Sequence, residues 1–392
     1  MRVKRLGCLM LALVLVLGLC ACDFVKPSEG EQTTAAPEGG ETVTDMIGRT
    51  VAVEPGSYKR VVCVGAGALR MYSYIGDVNA LCGVEDIDNV TLEERPAMFD
   101  GTARPYVLAY GDVFSKLPSC GVGGPMAQAA EAEKILSCEP DIVISEFEDV
   151  QKADALQKQL GVPVITLRSG SEGVFGEEFA GSLELLGTVF GKEDRAQELI
   201  GFVNDQAEAI SQRTVNIAEE DKPNVYVCGL GNWGTTDHLT TAEEYAPFRV
   251  ANISNVVRDV GMEGIGPIEE EKFIELGDQM HIMILDAAAV KNIKPLYQED
   301  PTLFDECKAW QDGQVYLEMA YNAYYTNYEI ALINTWFMAK SVYPEFYEDV
   351  DMTEKTNEIT KMFLGQELAE EIFSCPSSFG GYQRVKAETL FG

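Results

Sequence analysis

EKILSCEPDIVI (residues 133–144) and EKFIELGDQMHIMI (residues 271–284) are two copies of one pattern, the second longer by two residues. Each opens on an acidic residue, continues with apolar positions at helical spacing, and ends in an apolar β-branched run. An acid suits the positive end of a helix dipole. A short apolar run with no polar alternation suits a strand buried on both faces. The repeated helix–strand joint therefore predicts two related α/β lobes.

The rest of the chain fits that expectation. RVVCV (60–64), DIVIS (141–145) and PVITL (163–167) read as strands in the first half, and NVYVC (224–228), HIMIL (281–285) and QVYLEM (314–319) in the second. Strands that alternate with helices predict a parallel sheet in each half. Between the halves the pattern changes. Leu183, Leu186 and Phe190 mark one helix, Gly191 and Lys192 interrupt it, and Ala196, Leu199, Ile200, Val203, Ala207 and Ile210 mark a second. That second helix, over residues 193–213, would be ~30 Å long at the rise of an α-helix, enough to run from one lobe to the other. The predicted organisation is a first lobe at 43–170, a helical connector at 171–215 and a second lobe at 216–392.

Residues 1–21 have a basic start (Arg2, Lys4, Arg5) and an apolar run, which is the pattern of a secretion signal. No later stretch offers the ~18 apolar residues that a membrane span needs. The sequence LCAC (19–22) resembles a bacterial lipobox and implies Cys22 as the lipidated residue, with two acyl chains sufficient for stable anchoring. Residues 22–42 contain too little apolar surface to order themselves and read as a flexible tether. The formal net charge is −33, and cleavage before Cys22 removes three cations and no acid. Such a chain does not hold nucleic acid through phosphate contacts. Cys63, Cys82, Cys120, Cys138, Cys228, Cys307 and Cys375 are widely spaced with no CxxC, so neither a disulfide framework nor a zinc site is expected.

In their order along the chain, TDMIGRTV (44–51), RVVCVGAGALR (60–70), GVEDID (83–88), AEKILSCEPDIVI (132–144), EEKFIELGDQMHIMIL (270–285) and YNAYYTNYE (321–329) resemble an ABC importer substrate-binding protein, of the group that carries ferric siderophores, haem and cobalamin. The resemblance implies two Rossmann-like α/β lobes joined by a single long helix, a ligand cleft between them and little lobe motion. It implies a monomer that docks on an ABC permease dimer with its ATPase subunits, held at the extracytoplasmic face by the lipid anchor. A surface glutamate on each lobe would meet the permease, Glu133 and Glu271 by position, with Glu270 a rival to Glu271. It implies no intrinsic cofactor; iron or cobalt would arrive within the metal chelate or tetrapyrrole ligand.

Several residues are candidates for the ligand. Gly65 and Gly67 form a tight turn where a strand passes into a helix, a place where free amides accept an acidic group; Arg70 stands where a dinucleotide fingerprint needs its third glycine. Arg104 and Tyr110 offer a guanidinium for a propionate or catecholate and an aromatic face. Trp233 offers a flat wall and His238 an axial or direct contact. The chain has only two histidines, and His281 falls inside a predicted strand, so no resident metal site is expected. In AYNAYYTNYE (320–329), Thr326 and Glu329 have capping-box spacing with Tyr325 stapled at N′, leaving Tyr321, Asn322 and Tyr324 for the ligand. GxSxG, HExxH and the P-loop are missing, and no catalytic residue is expected. Two alternatives remain: the same fold carrying a small oxyanion such as molybdate, and a surface redox or metal-cluster enzyme with cysteines converging on the cleft.

Overall fold

The computed structural model describes residues 41–392 other than Thr102, Trp233 and Thr235. The secretion signal, Cys22 and nearly all of the tether lie outside the described residues.

The first sheet is parallel and three-stranded, with β1 (Val61–Val64), β2 (Ile142–Ser145) and β3 (Val164–Thr166) side by side in that order. Cys63 pairs with Ile144, and Ile144 with Ile165. Every residue of these strands is buried, as unbroken apolar runs require when helices cover both faces of a sheet. The second sheet holds β4 (Asn224–Cys228), β5 (Ser254–Asn255), β6 (Ile282–Asp286), β7 (Val315–Glu318) and β8 (Gln383–Arg384) in the order β5-β4-β6-β7-β8. Only β8, at the edge, runs antiparallel. The six predicted strands are all present. His281 lies one residue before β6 and is exposed, its Nδ1 accepting the Asn224 amide at 3.1 Å.

Seven helices position the site and join the two halves: α1 (Ala68–Ile75), α2 (Ala132–Ser137), α3 (Glu177–Phe190), α4 (Glu193–Thr214), α5 (Glu270–Leu276), α6 (Tyr328–Val342) and α7 (Met352–Leu364). Gly191, at φ 60°, closes α3 and lets the chain turn into α4. With 22 residues, α4 is about 33 Å long. It buries Ala196, Leu199, Val203 and Ile210 at helical spacing and is braced along its length. Arg195 reaches the Tyr74 carbonyl in the first half and the Met362 carbonyl in α7. Gln206 accepts from the Trp336 indole at 2.8 Å, and Arg213 pairs with Asp349 at 2.6 Å.

The C-terminal segment does not stay with the second sheet. Tyr110, on the helix Pro105–Phe114, donates to the Leu364 carbonyl at 2.6 Å; Gln366 donates to Ala109 and the Ser377 amide to Gly101. Of three apolar clusters among the described residues, the largest runs from Val61 and Ile144 through Leu199 and Val203 to Ile284, Ile333 and Phe363. Tyr110 thus ties a first-half helix to α7 rather than facing a ligand.

Candidate functional site

The carboxyl ends of both sheets open on one cleft of about 510 Å³. From the first sheet come Gly65 and Ala66 after β1, Glu146 and Phe147 after β2, and the 170–175 loop after β3; from the second come Asn232 and Gly234 after β4 and Tyr321 to Thr326 after β7. Strand ends are where α/β sheets place ligands, because loops there converge without strand pairing to satisfy.

The turn after β1 needs its glycines. Gly65 has φ 88° and Gly67 φ 99°, and a Cβ on Gly67 would stand 2.3 Å from Glu146 Oε2. Gly67 is the N-cap of α1, so the Glu146 carboxyl lies against the helix start. Its Oε1 accepts from Ser169 Oγ at 2.6 Å, while Oε2 is shut from solvent with no hydrogen-bond partner. Burial pushes this carboxyl up to about 8. The sequence suggested free amides here for an acidic ligand group; the chain's own carboxyl occupies the place.

Glu85 lies behind the same turn. Its Oε2 accepts from the Gly65 amide at 3.1 Å and from the Tyr324 hydroxyl at 2.9 Å. The Tyr324 hydroxyl in turn accepts from the Gly124 amide at 3.0 Å. Burial, then the neighbouring Asp88, raises Glu85 to about 8. Arg70, fully buried, donates to the carbonyls of Ala323 and Thr326, each at 2.9 Å, with its guanidinium 4.8 Å from the Tyr106 ring centre. Tyr74 donates to Glu329 at 2.5 Å. The 320–329 segment is therefore fastened to the first half by Arg70, Tyr74, Glu85 and Gly124.

These bonds overturn the local reading of that segment. Helix α6 starts at Tyr328 with Asn327 as N-cap and makes no side-chain cap bond. Thr326 lies one residue before the cap and its carbonyl accepts from Arg70; Glu329 turns to buried Tyr74 instead of closing a capping box. Tyr324 and Tyr325 both have positive φ, 55° and 64°. That geometry sends the Tyr324 side chain into the first half, where its hydroxyl is committed, and leaves Tyr325 exposed on the cleft wall. Tyr321 and Asn322 also line the cleft, with Asn322 Nδ2 donating to the Gly231 carbonyl at 2.8 Å.

Two predicted contacts lie elsewhere. Arg104 is buried in an ion pair with Asp88 at 2.7 Å, donates to the Ile87 carbonyl and borders a separate depression. His238 is buried, its ring 5.1 Å from that of Phe273 and 5.9 Å from that of Phe304, and is absent from the cleft wall. Burial lowers its pKa. Trp233 lies outside the described residues. Glu133 and Glu271 are each exposed at the second position of a short helix, α2 and α5, that leads into a parallel strand. Glu270 is the first residue of α5, so position favours Glu271 as the counterpart of Glu133.

Among the described residues, no group of three or more His, Cys, Asp or Glu side chains is arranged to hold a metal ion. The seven cysteines of the folded chain are free and none lines the cleft. The residues missed in the sequence are Glu85 and Glu146. Both carried a signal, since an acid directly at the end of a buried strand either meets a partner there or stays protonated.

A two-sheet α/β body with a ligand-sized cleft at its strand ends and a braced helix between its halves defines a solute-binding protein. A family model described as periplasmic binding protein matches residues 71–283, more than half of the chain, and the chain belongs to that family. It is a class III periplasmic binding protein, the extracytoplasmic substrate-binding component of an ABC importer, and the family's work is transport rather than catalysis. No curated protein matches the sequence. Among solved structures, the molybdate-binding MolA of Haemophilus influenzae has TM-score 0.61 at 17% identity, covering 83% of this chain and 98% of its own. FepB of Veillonella parvula has TM-score 0.60 at 21%, covering 83% and 97%. The catecholate-siderophore protein VctP of Vibrio cholerae has TM-score 0.52 at 19%, covering 77% and 99%.

Two outcomes are expected of this geometry. Replacing Tyr324 with Phe strands Glu85 and the Gly124 amide and should cost about 1–3 kcal/mol in urea unfolding, whereas Tyr325→Ala should leave stability within about 0.5 kcal/mol and weaken ligand binding. The reverse pattern would sink the assignment. Second, between pH 4.5, the ordinary value, and about 8, folded Glu85 and Glu146 hold protons that the unfolded chain lacks. Stability should therefore fall as pH rises through this window, by up to about 1.4 kcal/mol per pH unit for each group, and level off above it. Asp286, raised to about 7 by burial, acts in the same sense. Glu85→Gln should flatten the slope; an unchanged slope in pH-dependent urea melts counts against the account.

Proposed function

We propose that the protein is a lipid-anchored receptor that captures a bulky iron chelate or tetrapyrrole and delivers it to an ABC permease dimer. The cleft carries this reading: about 510 Å³ at the strand ends, walled by Phe99, Phe147, Phe175, Tyr245 and Tyr325. Aromatic walls suit a large, flat or rounded ligand, whose buried apolar area contributes ~25 cal/mol per Å². Residues 43–170 and 216–392 serve as the two lobes and 171–215 as the rigid connector. A small oxyanion such as the molybdate bound by MolA would call for cationic donors, and no Lys, Arg or His is among the described residues lining the cleft.

In this reading Glu133 and Glu271 are the permease contacts, supported by their matching exposed positions. Exposed carboxylates at these helix starts have no side chain to satisfy and are free for arginines on the transporter. The protein acts as a monomer, one copy spanning the two permease subunits. In cells whose uptake of a labelled chelate depends on this protein, Glu133→Ala/Glu271→Ala should bind ligand with unchanged Kd yet lose most uptake. Uptake at the wild-type rate would remove the docking role.

Lipidation at Cys22 rests on the lipobox-like sequence LCAC and the apolar run before it. Expressed with its own signal in a bacterial host, the wild-type protein should sediment with membranes, and Cys22→Ala should be released or retain its uncleaved signal. Identical fractionation and identical mass of the two would count against the anchor.

A further inference from the structure

The cleft's charge is unusual for a site meant to hold an anion. Its described lining contains Glu146, Glu172 and Glu244 and no cation; Trp233 and Thr235, undescribed, are uncharged by sequence. The cations nearby each have a partner, Arg249 and Arg168 in solvent-exposed pairs and Arg70 and Arg104 in buried contacts. Arg249 pairs with Glu172 at 2.7 Å, Arg168 pairs with Glu148 at 2.7 Å, and Arg70 is buried with its guanidinium on two loop carbonyls. Arg104 is locked to Asp88.

A backbone feature suited to an anion, the start of α1, is also closed. The start of α1 faces the cleft at Gly65, but the Glu146 carboxyl lies against Gly67 there, with Oε2 where a Cβ would fall. Ionised or protonated, that carboxyl fills the position an acidic ligand group would take. Glu244 differs from it. It is exposed on the cleft wall, and no hydrogen bond or ion pair engages its carboxylate among the described residues. Its neighbour Glu243, by contrast, accepts the amides of Gly261 and Met262 and is spent on the loop.

We propose that the cleft selects a bulky chelate of zero or positive net charge, and that Glu244 is the carboxylate that meets its cationic or N–H-bearing group. This rests on the reading of the cleft as a chelate site. It narrows that reading by excluding ligands whose periphery is carboxylate, catecholate or oxyanion, since like charges brought together in a partly dry site are strongly unfavourable.

The test is a titration of the mature protein, by isothermal calorimetry at low and moderate salt, against probes that differ in charge. Ferrioxamine B is a cationic ferric hydroxamate; ferrichrome and cyanocobalamin are neutral; haem, ferric enterobactin and molybdate are anionic. A neutral or cationic member should bind at least about tenfold tighter than every anionic one. Glu244→Gln should weaken ferrioxamine B about threefold and leave ferrichrome unchanged. Tightest binding by haem or ferric enterobactin overturns this inference while leaving the chelate reading intact, and tightest binding by molybdate overturns both. Binding of no member also overturns both. An unchanged ferrioxamine B affinity in Glu244→Gln overturns the role of Glu244.

Discussion

The Arg70 guanidinium, buried and gripping the carbonyls of Ala323 and Thr326, is the contact on which the shape of the cleft depends. Hydrogen bonds from a charged donor contribute about 1.5–3 kcal/mol each. Two such bonds offset the cost of holding Tyr324 and Tyr325 at positive φ, about 1–3 kcal/mol for each strained residue. The strain then sorts the two adjacent tyrosines to opposite duties. Tyr324 crosses to Glu85 and Gly124, and Tyr325 stays on the cleft wall.

The same contact is one of several that join the two halves. A carrier that opened widely would need a hinge with few crossing contacts. Here the crossings are many and of different kinds. Arg70 and Tyr74 of α1 hold the 320–329 segment, α4 is braced by Gln206 and Arg213, and Tyr110 holds the end of α7. The largest apolar cluster passes through all of them without a break.

How much of this the sequence disclosed depends on the range of the interactions involved. The strands were legible because a strand buried on both faces must be apolar along its whole length, as Val61–Val64 and Ile282–Asp286 largely are. The long helix was legible because Ala196 to Ile210 repeat at the helical period. The site was not legible in the same way. A capping box at Thr326 and Glu329 is the correct local inference, but the cap falls at Asn327 and Glu329 turns to Tyr74, 255 residues away in sequence. Arg104 and His238 had suitable chemistry, but Asp88, Phe273 and Phe304 claimed them first.

Acidic residues show the same sorting most clearly. An unpaired carboxylate is cheap in water and expensive in a dry interior, where it is better protonated. Glu85 and Glu146, at strand ends behind the cleft, are pushed toward the neutral form and serve as hydrogen-bonding struts. Glu133 and Glu271 occupy exposed first turns of short helices, in contact with solvent. Glu244 lies on the cleft wall yet is exposed, between these two situations. A strongly acidic composition thus sorts into buried braces and exposed carboxyls according to how much water each side chain meets.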